Sequence, residues 1–122
     1  MPEKAYDSAA VVLDTNDDGG GAPRADDYLF AVRWKSPTAY FQITRKGTGS
    51  TWSDWLPNPE GFIGASSLDA SNNPYNQRPH LIYELRIPFS YIGQKTVYGA
   101  GILATDAMFL LDGHTPSTCQ TL

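Results

Sequence analysis

A single cysteine, Cys119, is all that this 122-residue chain carries, so no disulfide within the chain holds it together. Its setting in a polar tail offers nothing to activate a thiol. No apolar run approaches the roughly 18 residues that a membrane-crossing helix needs, which excludes membrane insertion by helices. Basic residues are few: nine against thirteen acidic, a formal charge of −4, scattered from Lys4 to Lys95. A phosphate backbone calls for clustered Lys and Arg, so no nucleic-acid partner is expected. Catalytic signatures are missing too. His80 and His114 have no nucleophilic Ser or Cys context and no zinc spacing, and no Walker, Gly-x-Ser-x-Gly or Gly-x-Gly-x-x-Gly pattern occurs. Asp54 and Glu60 form a glycosidase pair only in the sense that any acidic chain supplies one. The expected catalytic set is empty, and the chain reads as a non-enzyme.

Helical periodicity is also absent, because 11 Gly and 9 Pro interrupt every window long enough to show it. What remains is an all-β pattern in one domain, residues 1–122, at the usual size for a single core. Strands are expected at Ser8 to Asp14, Asp27 to Trp34, Ala39 to Arg45, His80 to Ile87 and Val97 to Asp106. The first is apolar enough for burial on both faces. The fourth alternates strictly, with Leu81, Tyr83, Leu85 and Ile87 on one side. Between Lys46 and Asn76, Gly, Ser, Asn and Pro predominate, and long loops are expected. Phe89 to Gly93 reads as one helical turn or a tight loop, and the tail 113–122 as frayed.

Five of the thirteen acidic residues fall between positions 14 and 27: Asp14, Asp17, Asp18, Asp26 and Asp27. Packed carboxylates repel, and a hard cation that takes roughly six to eight oxygens, such as Ca²⁺, is one reason to gather them. Asp14, Asn16 and Asp18 stand at positions 1, 3 and 5 of a calcium-type loop, with Gly19 at the sharp turn. Position 12 is Ala25, so closure falls to Asp26, Asp27 or a carbonyl. The alternative is a bare solvated turn, which the same residue types favour without any ligand.

Trp52 and Trp55 stand in a polar loop, where exposed indole faces can stack on sugar rings while Asp54, Asn58, Asn73, Asn76 and Gln77 bond the hydroxyls. The other outcome is that both fold back as a cap on the sheet. On composition, Trp52, Trp55, Asp54 and Asn73 are the candidate saccharide contacts.

The segment Tyr6 to Gly20 with Asp26-Asp27-Tyr28-Leu29-Phe30, and the segment Tyr83-Glu84-Leu85-Arg86-Ile87-Pro88-Phe89-Ser90-Tyr91-Ile92-Gly93, resemble the family 9 carbohydrate-binding modules and the wider DOMON-like β-sandwich group. In that group an Asp-rich loop closes one strand, an Asp-Tyr opens the next, and Glu-x-x-Ile-Pro-x-x-x-Leu-Gly follows later, with Ile92 here in place of the leucine. The resemblance implies a jelly-roll-like antiparallel β-sandwich and a secreted or cell-surface, non-catalytic module. It would bind polysaccharide or another glycan, with calcium in a structural role and an enzyme domain often alongside. Members usually carry two or three strands before the segment matching Tyr6, where this chain has five residues. Those strands are then expected to be missing or supplied by a longer parent or a partner, leaving an edge open to self-association. Another branch of the group binds haem, for which Met108 and His114 are the nearby ligand types. A ligand-free interaction domain of a cell-surface protein is the alternative function.

Overall fold

The computed structural model describes residues 7–36, 39–69, 80–105 and 118–121. Two antiparallel sheets make up rather more than half of it. β1 (Ser8–Asp14), β2 (Asp27–Ser36) and β3 (Ala39–Lys46) form a meander, β4 (Ile63–Asp69) and β5 (His80–Arg86) a separate pair, and β6 (Gly99–Thr105) and β7 (Thr118–Thr121) complete the larger sheet. The orders are β3-β2-β1-β6-β7 and β4-β5. One short helix, α1 (Phe89–Ile92), follows Pro88, which ends the extended run.

Register follows from the meander and fixes what shares a face. β1 pairs with β2 from Ser8↔Arg33 to Asp14↔Asp27, and with β6 from Ser8↔Thr105 to Asp14↔Gly99. Because side chains alternate across a strand, Ser8, Ala10, Val12 and Asp14 share one face with Leu29, Ala31, Arg33, Ile43 and Arg45. Phe30, Val32 and Thr44 lie on the other, all three at 0% exposure.

The β4-β5 pair packs on that second face. Gly64 of β4 lies so close to β2 that an added Cβ would meet the Val32 methyl, and its N–H donates to the Gln42 side-chain carbonyl of β3. The main core forms beneath this contact from Phe30, Phe62 and Ile92, with Leu13, Leu85, Ile87 and three tyrosines packed around them. Phe30 and Phe62 ring centres are 5.1 Å apart, and Tyr28 meets Tyr91 edge-on at 5.4 Å. Over β6 the second layer gives out, and Ile102 is 54% exposed.

The all-β, sandwich-like class agrees with the sequence, as do the five expected strands to within a residue or two. Two expectations change. Residues 63–69, expected as loop, form β4, because its small side chains let the strand lie against Val32. Thr118–Thr121, expected as frayed, pairs with β6 from Ile102↔Thr121 to Thr105↔Thr118.

Candidate binding site

The turn between β1 and β2 is organised around Asp14. Its Oδ1 accepts the Asn16 N–H at 3.2 Å and its Oδ2 the Gly19 N–H at 2.8 Å, so the carboxylate stitches its own loop. Burial pushes the Asp14 carboxyl up, but the backbone amides of Gly19, Asp18, Asn16 and Asp17 together outweigh it and hold the pKa below its ordinary value. At the far end of the turn, Asp27 Oδ2 accepts the Arg24 N–H at 2.7 Å. Burial first, and then the charges of Asp14, Asp26 and Asp18, raise the Asp27 pKa against that hydrogen bond. Thr15 ties the two ends together, its hydroxyl donating to the Asp26 carbonyl at 2.8 Å.

A second loop is fastened to this one. Gly47 is buried against the Pro23-Arg24 backbone, where a Cβ would fall on the Arg24 carbonyl oxygen. Its N–H donates to the Asp27 carbonyl at 3.0 Å, and Gly49 N–H to the Pro23 carbonyl at 2.9 Å. Gly47 also bridges to Trp52, and Thr44 to Leu56, so residues 52–56 run along the outer edge of β3. Trp52 is thereby brought opposite the acidic turn.

A cavity of about 440 Å³ opens between them, within the range of about 300–1,000 Å³ typical of small-ligand sites. Trp52, Val12 and Pro23 supply apolar wall; Asp14, Asp17 and Asp27 supply carboxylates; residues 19–21 and 99–101 contribute mainly backbone. Asp27 Oδ1 and Asp26 Oδ2 are enclosed without a hydrogen-bond partner. Such oxygens are costly to leave charged and unpaired.

The expected contacts divide. Trp52 lines the cavity. Trp55 does not; it is 53% exposed, with the Arg33 guanidinium 5.5 Å from its ring centre. Asp54 is exposed on the loop and is not part of the cavity wall. Asn73 lies outside the described residues, as do Met108 and His114. Of the metal candidates, Asp14, Asp18 and Asp26 bring one carboxylate oxygen each to within 4.8 Å of one another. Asn16 is exposed, and Asp27 faces the cavity. Asp17 was not among the expected site residues. Its positive φ of 52° in the turn, rather than any spacing rule, brings it to the cavity.

Hard carboxylate oxygens suit a cation such as Ca²⁺, and the enclosed, unpartnered Asp26 Oδ2 fits one. Arg24 is its rival, donating from Nη1 to Asp18 Oδ2 at 2.8 Å. No protein-family model matches the chain, and neither does any curated protein or solved structure.

Proposed function

We propose that this domain is a non-catalytic carbohydrate-binding module whose site is the cavity between Trp52 and the acidic turn. The observation that carries the reading is the composition of that cavity: one indole and aliphatic wall facing three carboxylates. An indole offers a flat face to the C–H side of a sugar ring, and carboxylate oxygens accept its hydroxyls. Resemblance to the family 9 modules in the two strand-loop segments supports the same reading, and with it a place outside the cell, next to another domain. Asp14, Asp18 and Asp26 would hold Ca²⁺, with Asn16, carbonyls or water completing its oxygens, and the ion would neutralise the turn and stiffen the cavity wall.

Calorimetric titration with a panel of neutral oligosaccharides, calcium present, tests the sugar. Trp52→Ala should weaken binding roughly tenfold while Trp55→Ala leaves it unchanged. Absence of binding to every glycan tried would sink the proposal. For the ion, EDTA should lower the Tm of the calcium-loaded protein, and Asp26→Asn should abolish that response; a melt indifferent to EDTA leaves the bare turn.

A second reading, an interaction domain for another protein, draws on a different observation. Ile102 of β6 is 54% exposed where the second layer stops, and Leu68 of β4 is 48% exposed. It predicts that Ile102→Ser abolishes assembly with a partner and leaves glycan titrations untouched.

A further inference from the structure

The Trp52 cavity is one end of a longer feature on the sheet face opposite the β4-β5 pair. Past Val12, the next two rungs of β1 enter a second concavity of about 170 Å³. Ala10, Ala31 and Ile43 form its floor, with Leu29 and Leu103 packed against them. Its polar groups are Ser8, Thr105 and two arginines, Arg33 and Arg45.

Neither arginine has a carboxylate within 4.0 Å among the described residues. Arg33 lies over Trp55, and nearby on β2 Lys35 places its Nζ 5.4 Å from the Phe41 ring centre. In a chain of net charge −4, this end of the face holds cations and aromatic rings, and among the described residues no acid lines the concavity. The opposite end, around Trp52, holds Asp14, Asp17 and Asp27. A guanidinium fork recognises a planar or tetrahedral oxyanion in two hydrogen bonds, and an apolar floor recognises the C–H face that carries it. A free inorganic ion would use only the first of these.

We propose that this face binds an acidic saccharide, with Arg33 and Arg45 taking the carboxylate or sulfate of one residue and the Trp52 cavity a neighbouring neutral ring. The inference rests on the carbohydrate reading above and adds the substrate class. The two charged ends also set direction, since the carboxylates around Trp52 repel an anionic ring and send it to the arginines. Ser8 to Asp14 covers roughly 20 Å along the strand, room for more than one ring. A chain in which acidic and neutral sugars alternate satisfies both ends at once.

The test is calorimetry on the whole chain with three probes: unsulfated chondroitin hexasaccharide, its sulfated form, and the carboxyl-reduced neutral form. Wild-type protein should prefer at least one of the two anionic probes over the neutral one by about tenfold, with the preference shrinking as salt is raised. The two anionic probes separate carboxylate from sulfate recognition. Arg33→Gln with Arg45→Gln should erase the preference and keep neutral binding. Lys46→Gln with Lys95→Gln, the same change of net charge elsewhere, should leave the preference intact. Equal affinity for all three probes, or equal loss in the two double variants, overturns the proposal. Failure of the neutral probe together with an inert Trp52→Ala, while the arginine effect persists, overturns the Trp52 reading and leaves the anion site standing. No binding to any probe overturns both.

Discussion

Gly47→Ala isolates the contact that holds the site together. Its Cβ falls on the Arg24 carbonyl, so the clash is backbone against backbone and neither side yields as a flexible side chain would. Relief requires the two loops to part. That forfeits the hydrogen bonds from Gly47 to Asp27 and from Gly49 to Pro23, about 0.5–1.5 kcal/mol each. Residual crowding adds about 1–3 kcal/mol. The sum is about 2–6 kcal/mol. For 122 residues, an unfolding entropy of about 0.26 kcal/mol/K converts each kcal/mol into about 4 °C, so Tm should fall by about 8–24 °C. Gly21→Ala is the comparator, being in the same cavity wall with nothing within 4 Å of its added Cβ and no positive φ. There the loss of freedom in the unfolded chain should stabilise by about 0.4–1 kcal/mol. Circular-dichroism melts of both variants, with tryptophan emission to follow the exposure of Trp52, make the assay. A Gly47→Ala melt within about 4 °C of wild type, or a fall shared equally by both variants, would refute the reasoning.

Other outcomes follow from the core and from the turn. Phe30→Ala empties a fully buried ring site between Phe62 and Tyr91; a cost of about 3–5 kcal/mol should lower Tm by about 12–20 °C, and a loss under about 4 °C would contradict this packing. Because the Asp27 pKa is raised, the folded chain holds that proton more tightly than the unfolded one. Stability measured in EDTA should therefore fall as pH rises from the ordinary carboxylate range through the raised value. Asp27→Asn keeps an acceptor for Arg24 N–H and should remove that fall; melts across the range with no difference between the two proteins would refute it. Asp14 has the opposite sign: with its pKa lowered, its contribution is present above the ordinary carboxylate range and is lost as pH drops through the lowered value, so Asp14→Asn should flatten the acid limb.

The parts of the fold legible in the sequence are those where local pattern and packing agree. β1 carries Val11 and Val12 between Ala and Leu and ends on Asp14, and its bounds follow directly. β4 reads as Ile-Gly-Ala-Ser-Ser-Leu-Asp, weak by any strand propensity, because a large residue at position 64 would collide with Val32. Its reason lies in a strand thirty residues earlier, and no local window contains it. The site divides in the same way. Clustering and calcium-loop spacing point to Asp14, Asn16, Asp18, Asp26 and Asp27, all supplied by one turn, and the fold brings the carboxylates of Asp14, Asp18 and Asp26 together. Trp52 and Trp55 looked equivalent, and the antiparallel bridge at Gly47 separates them by directing one indole to the turn and leaving the other beside Arg33. Arg33 and Arg45 are twelve residues apart in sequence, and only the β2-β3 register brings both to one concavity.

The β1-β6 ladder sets an order of events in time. Ser8 pairs with Thr105, so the central strand of the larger sheet waits for a partner that is made about 90 residues later. β1, β2 and β3 close as successive hairpins, a local process of microseconds. The remaining edge of β1 stays unpaired until residues 99–105 arrive, some seconds later at synthesis rates of about 5–20 residues per second. During that interval the nascent chain offers a bare row of amides and carbonyls on every second residue of β1. Contacts of such long sequence separation also slow refolding, placing it toward the millisecond-to-second end of the two-state range. Yield on expression should accordingly respond to temperature and chain concentration more steeply than the melting point of the finished domain would suggest.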